Sequence, residues 1–225
     1  MDGINYSLQV MNTGSGHDLE KVKRFLDTAI SSQYYPLFFT ALYTGARRSE
    51  LLALRWSDVD LLLCTMSINR SLHQINKQYV FTQPKTTKSR RVIDLSPDLV
   101  QVLKDHHNKQ ALDKVMVDIK IRESDLIFST YDNKPWRPDT ISRAWKATAK
   151  RAGVKVIRFH DARHTHASLM LKQGIHPKVV QERLGHSTIS TTLDIYSHVA
   201  PGIQKAAAQR FDDMLKVSYN SNVTK

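Results

Sequence analysis

Apolar side chains recur every three or four residues along much of the chain, the spacing that places them on one face of an α-helix. The first such stretch begins at Asp18, a residue type that often caps helices, and the run from Leu37 to Tyr43 is apolar enough to require burial. Thr44-Gly45 then breaks this run. Further helices are predicted over Ser49 to Leu54, Ser96-Pro97 to Leu103, Arg137 to Ala152, Asp161 to Gln173, Pro177 to Leu184 and Pro201 to Leu215.

Between residues 65 and 95 the pattern changes to the alternation of apolar and polar residues that is typical of half-buried strands. The alternation is visible in three runs, around Met66, Tyr79 and Val92. Turn-forming residues separate these runs at Asn76-Lys77 and at Thr86 to Ser89. The pattern therefore predicts a small antiparallel β-sheet within a mainly helical α+β domain.

The periodic part of the chain is continuous enough for one domain. Residues 1–17 mix small and polar types without periodicity, and we interpret them as a linker or lead-in. Residues 18–216 are predicted to form a single domain, and residues 217–225 a flexible tail. A chain of 225 residues is long enough to bury one substantial core.

The charge of the chain is strongly positive. Its 33 Lys and Arg residues exceed its 21 Asp and Glu residues, which gives a formal net charge of +12. Such an excess favours a polyanionic partner, and nucleic acid is the first candidate because its binding releases condensed counterions. A positive charge that serves solubility alone is the alternative.

Cysteine content and hydropathy limit the cellular context. Cys64 is the only cysteine, so the chain has neither an intrachain disulfide nor a cysteine-based zinc cluster, as expected in a reducing compartment. No apolar run approaches the roughly 20 residues that span a bilayer, and the first residues do not resemble a signal peptide. We therefore expect a soluble, cytoplasmic protein without a membrane partner.

Two arginines lie close to predicted helix starts, where they suit the binding of an anion. Arg47 follows the break at Gly45. Arg163 lies three residues after His160, so the side chains of His160 and Arg163 share one face of a helix. Planar guanidinium groups match the nonbridging oxygens of a phosphodiester with paired hydrogen bonds. Taken alone, each feature also fits an exposed arginine or an ordinary helix start.

The histidines near Arg163 raise zinc binding as another alternative. His160 and His164 are four residues apart, but the glutamate that accompanies such a pair in zinc-binding helices is missing. Zinc is therefore disfavoured, and His164 and His166 are interpreted as helix residues.

Tyr196 is a candidate nucleophile for phosphodiester chemistry. Attack by a phenolate stores the energy of the phosphodiester in a covalent phosphotyrosine, which a DNA hydroxyl can reverse. A phenol with a pKa of about 10 needs a base and neighbouring cations for this role. Considered alone, Tyr196 also fits an amphipathic core residue.

Three segments resemble, in order and spacing, motifs of the tyrosine recombinase or phage integrase family. They are Thr44-Gly45-Ala46-Arg47 with its continuation to Asp60, His160-Asp161-Ala162-Arg163, and Leu184-Gly185-His186 with its continuation to Tyr196. A fourth segment, Gln83 to Leu95, is similar to the hairpin that carries the lysine of this family. The resemblance runs from about Asp18 to Leu215 and implies the fold of the family's catalytic domain.

The resemblance also implies roles for individual residues. Arg47, Arg163 and His186 would bind the scissile phosphate, and Glu50 would support them by orienting an arginine. Lys85 would be the general acid, His160 a proton-transfer partner and Tyr196 the nucleophile. Lys88, Arg90 and Arg91 fit a basic hairpin and are expected to contact DNA phosphates. No metal and no other cofactor is implied.

The implied function is that of the catalytic domain of a site-specific DNA recombinase, which cleaves and rejoins double-stranded DNA through a 3′-phosphotyrosine. We expect a monomer in free solution and a homotetramer on DNA, with accessory DNA-bending proteins as further partners. The segment from Ile203 to Leu215 would pack on its own domain or on a neighbouring copy. A type IB topoisomerase and a noncatalytic DNA-binding relic remain as alternatives.

The chain departs from the family at its N-terminus. Family members usually carry a separate helical core-binding domain before the catalytic domain, whereas at most 17 residues precede the first predicted helix here. This departure predicts a fragment, a truncated gene product or a minimal form, with weak activity of the chain alone.

Overall fold

The computed structural model describes residues 16–76, 78–83 and 90–199, together with positions 208, 209, 211–213 and 215. The helices are α1 (Gly16–Ala29), α2 (Tyr35–Thr44), α3 (Arg48–Leu51), α4 (Pro97–Val115), α5 (Pro138–Arg151), α6 (Asp161–Lys172), α7 (Pro177–Leu184) and α8 (Ser190–Val199). The strands are β1 (Val59–Asp60), β2 (Thr65–Ile68), β3 (Ser71–Ile75), β4 (Gln78–Thr82) and β5 (Arg91–Asp94), and a short 3-10 helix spans Trp56–Asp58. Across the described ranges, no helix is long and apolar enough to cross a membrane.

The predicted helices are confirmed most closely where proline and glycine mark their ends. Ser96 caps α4, because its hydroxyl accepts a hydrogen bond from the backbone N–H of Leu99 at 3.4 Å. Gly45 and Gly185 end α2 and α7 in the left-handed conformation, with φ values of +64° and +67°. The α+β class is therefore confirmed.

The strands form two small antiparallel sheets rather than the single sheet expected from the sequence. One sheet has the order β1-β2-β5, and it buries Met66 opposite Ile93. The other is the hairpin β3-β4. Between β2 and β3, the side chains of Asn69 and Arg70 bind the carboxylate of Asp58, and the chain leaves the first sheet at this point. The consecutive strands β2 and β3 therefore belong to different sheets.

An aromatic cluster at the centre of the core joins four parts of the fold. The ring of Trp145 on α5 lies 4.3 Å from that of Phe25 on α1 and 5.2 Å from that of Phe38 on α2, measured between centroids. Phe159, just before α6, packs on the same indole at 5.0 Å. These contacts fix the start of α6 on the core.

A second apolar cluster lies on the other side of α6. It contains Ala167 and Leu171 of α6 with Val180 and Leu184 of α7, and Ile195 of α8 packs against it. Helix α6 therefore lies between two packed layers, and α7 and α8 are attached to the domain through it.

Helix α8 was not predicted from the sequence. Its first turn contains Ser190, Thr191 and Thr192, which have low intrinsic helix propensity, so tertiary packing on α6 and α7 stabilises the helix. Of the apolar stripe predicted after Pro201, Phe211 and Leu215 are described, and both are helical and exposed. The predicted tail and residues 1–15 of the predicted linker lie outside the described residues.

The turn after α2 packs so closely on α6 and α7 that only glycine fits at position 45. A Cβ atom there would lie 2.4 Å from Cδ2 of Leu184 and 2.9 Å from Cδ2 of His166. By contrast, a Cβ atom on Gly174, which also has a positive φ of +79°, would meet no atom within 4 Å.

We predict that Gly45→Ala lowers the free energy of unfolding by about 3 kcal/mol, since left-handed backbone strain and overpacking add together. Gly174→Ala is the matched control and should cost only about 1 kcal/mol, because it introduces strain without a clash. Urea denaturation of both variants measures the difference. Equal losses would show that the close packing around position 45 does not constrain the fold.

Candidate active site

Arg163 joins two distant segments of the chain at the centre of the candidate site. Its side chain is buried on the first turn of α6, and the residue is 4% exposed. Nη1 donates to the carbonyl oxygen of Gly45 at 3.0 Å, and Nη2 donates to that of Leu184 at 2.7 Å. Burial, followed by repulsion from Arg47, lowers its pKa to about 9. Arg163 is still a cation at neutral pH, and its guanidinium has five donors, of which two bind these carbonyl oxygens.

Glu50 lies beneath Arg47 and links it to Arg91. One carboxylate oxygen accepts from the backbone N–H of Arg47 at 2.8 Å, and the other accepts from Nη1 of the same residue at 2.8 Å. The guanidinium of Arg91 binds both oxygens, at 3.1 and 2.8 Å. Burial opposes the ionisation of Glu50, but the hydrogen bonds and charges of Arg91 and Arg47 outweigh it and hold its pKa at about 2. Glu50 is therefore ionised and in contact with Arg47.

Arg47 is the capping residue directly before α3, and it is partly exposed. Its side chain is 40% exposed although one nitrogen is bound to Glu50. A helix start with a partly free guanidinium is a favourable place for an anion.

Arg91 requires a correction to the role expected from the sequence. Its side chain is 6% exposed, and besides the two bonds to Glu50 it donates from Nε to the carbonyl oxygen of Arg183 at 2.9 Å. A guanidinium enclosed in this way is not available to a DNA phosphate. Arg90, in contrast, is exposed and binds only the side chain of Gln83 among the described residues, at 2.9 Å.

His186 lies directly after Gly185, at the end of α7, and is half-buried. Its Nδ1 is 2.9 Å from the hydroxyl of Thr192, a residue of α8 that is fully buried. Burial, together with the charges of Arg163 and Arg47, lowers the pKa of His186 to about 4. The imidazole is therefore neutral at pH 7. If the threonine hydroxyl donates to Nδ1, the proton of the ring is on Nε2 and can be donated to an anion.

His160 and Arg163 both lie at the start of α6, as their spacing predicted. His160 is exposed, and its ring is 5.7 Å from that of His164 in an edge-on arrangement. Burial of part of the ring lowers the pKa of His160, and the neighbouring His164 and Arg163 add to this effect. The imidazole is thus biased toward its neutral form, which can accept a proton.

His166 belongs to a different, structural set of contacts. Its Nδ1 is 2.9 Å from the carbonyl oxygen of Leu42, and its Nε2 is 3.3 Å from Nε of Arg183. Burial and the charge of Arg183 lower its pKa to about 4. His166 therefore faces α2 and not the pair His160 and His164. Among the described residues, no group of three side chains could hold a metal ion.

The remaining candidates are described only in part. Tyr196 belongs to α8, one helical turn after Thr192, but its side chain lies outside the described part of the structure. Lys85 and Lys88 also lie outside it. The structure therefore brings together Arg47, Arg163 and His186, with His160 on the same helix start, while the roles of the other residues stay predictions.

Sequence reasoning missed the residues that hold this group in place. Thr192 contacts His186, and Arg183 donates to the carbonyl oxygens of Asp94 and Tyr43 at 3.0 and 3.1 Å. For Thr192, the only indication in the sequence was its position four residues before Tyr196, which places both on one face of a helix. For Arg183 there was none, because the carbonyl oxygens of Asp94 and Tyr43 and the ring of His166 that it contacts are all distant in the chain.

Comparison with known proteins assigns the class. Residues 16–202 match the model of the Phage integrase family, and the chain belongs to this family. The ICEBs1 integrase of Bacillus subtilis (strain 168) is 35% identical over 199 residues, which are 87% of this chain and 54% of that protein. A tyrosine recombinase described as XerC-like, from Caldanaerobacter subterraneus, is 31% identical and is covered over 53% of its length, against 87% of this chain. The chain thus spans about half the length of these curated relatives.

Solved structures show the same fold. The Tn1549 transposon integrase, in complex with circular intermediate DNA, superposes with a TM-score of 0.71 at 21% identity, over 92% of this chain and 68% of that one. The catalytic domain of the bacteriophage HP1 integrase gives a TM-score of 0.54 at 23% identity, over 84% of this chain and 90% of that one. The fold is that of a tyrosine recombinase catalytic domain.

We predict that Glu50→Gln destabilises the domain by about 3 kcal/mol at pH 7, because it leaves the buried guanidinium of Arg91 without its counter-charge. The pKa of Glu50 falls from an ordinary value of 4.5 to about 2 in the fold, so its contribution is present above pH 4.5 and is lost as the pH falls toward 2. Urea denaturation of the unchanged protein and of the variant, from pH 7 downward, should show a difference that shrinks below pH 4.5.

Glu182→Gln is the matched control. Its carboxylate forms an exposed pair with Lys178 at 3.5 Å, and such pairs contribute about 0–1 kcal/mol. A similar small effect of both substitutions would contradict the assignment of a buried ionised carboxylate at Glu50.

Proposed function

We propose that this chain is the catalytic domain of a site-specific DNA recombinase, which cleaves and rejoins double-stranded DNA through a 3′-phosphotyrosine intermediate. The observation that supports this proposal is the convergence of Arg47, Arg163 and His186. The carbonyl contacts of Arg163 fix the segments that carry the other two residues. After burial, the charge of Arg47 lowers the pKa of Arg163, and the charges of both arginines lower that of His186. Membership of the Phage integrase family and the named integrases among its relatives support the same function.

The converging side chains suit one phosphodiester group. Arg47 offers its exposed edge, Arg163 its remaining donors and His186 its neutral ring, so that the nonbridging oxygens receive hydrogen bonds from three directions. These donors are held in place before the substrate arrives. They therefore stabilise the charge that develops in the transition state without reorganising.

The chemistry then requires a nucleophile and two proton transfers. The phenolic oxygen of Tyr196 attacks phosphorus, its proton passes to His160, and the bond between phosphorus and the 5′ oxygen breaks. Lys85 gives its proton to the leaving 5′ oxygen, so that the products are a 3′-phosphotyrosine and a 5′-hydroxyl. Attack by the 5′-hydroxyl of a second DNA strand reverses the step and joins new partners. This sequence needs no metal and no nucleotide cofactor.

Double-stranded DNA is the proposed partner. The net charge of +12 attracts the phosphate backbone, and exposed Arg90 with Lys88 is proposed to contact it near the site. We further propose a monomer in free solution, a homotetramer on DNA and accessory DNA-bending proteins in the full assembly.

We predict that Tyr196→Phe abolishes covalent attachment to DNA, with a loss of at least about 100-fold, because the ring then lacks the attacking oxygen. The substrate is a library of duplexes with randomised sequence around a nick, placed so that the short 5′-hydroxyl product diffuses away and traps the adduct. Adducts are detected on a denaturing gel, and their DNA is sequenced, which identifies the target site in the same experiment.

Tyr131→Phe is the matched control, since Tyr131 is 60% exposed and lies outside the candidate site. It should form adducts like the unchanged protein, and both variants should keep salt-sensitive DNA binding. An adduct that persists in Tyr196→Phe would assign the nucleophile elsewhere. A library that yields no adduct with the unchanged protein would count against DNA cleavage by this chain.

A further inference from the structure

We infer that Arg91 is a positioning residue for DNA cleavage, which holds Arg47 and His186 in register around the scissile phosphate without touching it. The inference rests on the proposed function of the site. Arg91 starts β5 and makes its contacts with two other parts of the chain: Glu50 of α3 and the end of α7.

The first set of contacts determines how much of the positive charge of Arg47 is neutralised by Glu50. Each oxygen of Glu50 is shared, because one accepts from Nη1 of both arginines and the other from the backbone N–H of Arg47 and Nη2 of Arg91. Without Arg91, the buried carboxylate would have Arg47 as its sole cationic partner among the described residues. The guanidinium of Arg47 would then be drawn inward, and its exposed edge would bind a phosphate less well.

The second set of contacts fixes the segment that carries His186. Nε of Arg91 binds the carbonyl oxygen of Arg183, and Nη2 of Arg163 binds the next carbonyl oxygen along the chain, that of Leu184. A Cβ atom on Gly185 would lie 3.1 Å from Cδ and from Nη1 of Arg91, so the backbone passes directly over this side chain. Two guanidinium groups therefore bind the consecutive carbonyls of Arg183 and Leu184, one residue short of the Gly185-His186 peptide.

Because the side chain of Arg91 is buried, it can position other residues but does not contact DNA directly. The side chain of Arg91 is 6% exposed and three of its donors are engaged inside the protein. Its neighbour Arg90 is exposed and has no contact with Glu50 among the described residues. The two adjacent arginines thus offer a matched comparison of an internal and an external cation.

The test compares Arg91→Met on two suicide substrates, one with an ordinary scissile phosphate and one with a neutral methylphosphonate at that position. A residue that acts through the neutralisation of phosphate charge matters less when the charge is absent. We expect Arg91→Met to slow adduct formation by about 10- to 100-fold on the phosphodiester, as outer-shell substitutions do elsewhere, with a nearly unchanged Kd for DNA. On the methylphosphonate, its rate should lie within about threefold of the unchanged protein.

Two further variants separate the possible failures. Arg47→Ala should show the same recovery on methylphosphonate, whereas Arg90→Met should weaken DNA binding and show no difference between the substrates. If Arg47→Ala is equally slow on both, the proposed phosphate-binding role fails, and the inference fails with it. If Arg47→Ala recovers and Arg91→Met does not, Arg91 has only a structural role.

Arg91→Lys keeps the test decisive if Arg91→Met does not fold, as judged by circular dichroism. Lysine retains a positive charge beside Glu50 but cannot bind both carboxylate oxygens and the carbonyl of Arg183 in the same planar geometry. It should therefore give a smaller defect on the phosphodiester, again removed on the methylphosphonate. An equal defect of Arg91→Lys on both substrates, or no defect at all, would overturn the inference.

Discussion

The arrangement of the site depends on the buried guanidinium of Arg163. A charge in the protein interior is costly unless hydrogen bonds replace its hydration, and the carbonyl oxygens of Gly45 and Leu184 supply two of those bonds. These carbonyls belong to the ends of α2 and α7, which are far apart in the chain. One side chain on α6 therefore fixes the segments that carry Arg47 and His186 on a common support.

A second set of buried contacts surrounds this centre and leaves it with an excess of positive charge. Glu50 neutralises part of the charge of Arg47 and Arg91, but Arg163 has only carbonyl dipoles among its described hydrogen-bond partners. Burial, and after it the same excess of charge, lowers the pKa of Arg163 and of His186. An anion placed between these groups would relieve the repulsion, which is the physical reason that the site suits a phosphodiester.

The sequence predicted the elements that local residues determine and missed those that depend on distant partners. Helices bounded by Pro97, Pro177 or Gly185 were predicted well, because caps and breakers act within a few residues. Helix α8 was missed because packing, not propensity, stabilises it. The division into two sheets was missed because β2 pairs with β5, across an intervening hairpin that local alternation does not reveal.

The candidate site shows the same limit at the level of single residues. The motifs identified Arg47, Arg163 and His186, but Arg91 was expected on the DNA side together with Arg90. Successive side chains of a strand point to opposite faces, and the pairing of β5 with β2 turns Arg91 and Ile93 inward and leaves Val92 63% exposed. Which face is internal is decided by strand pairing, and the composition of four residues does not determine it.

Residue-specific hydrogen exchange in Arg163→Lys tests the central claim most directly. The backbone N–H of Gly45 donates to the carbonyl oxygen of Ala41 at 3.0 Å, and that of Gly185 donates to the carbonyl oxygen of Gln181 at 2.8 Å. Both amides therefore report on the two segments that Arg163 joins. An ammonium group lacks the planar fork that reaches both carbonyls. We predict that exchange at both glycines accelerates together, while the amides of α4 keep their protection. Acceleration at one glycine alone, or at neither, would contradict the claim that one guanidinium joins the two segments.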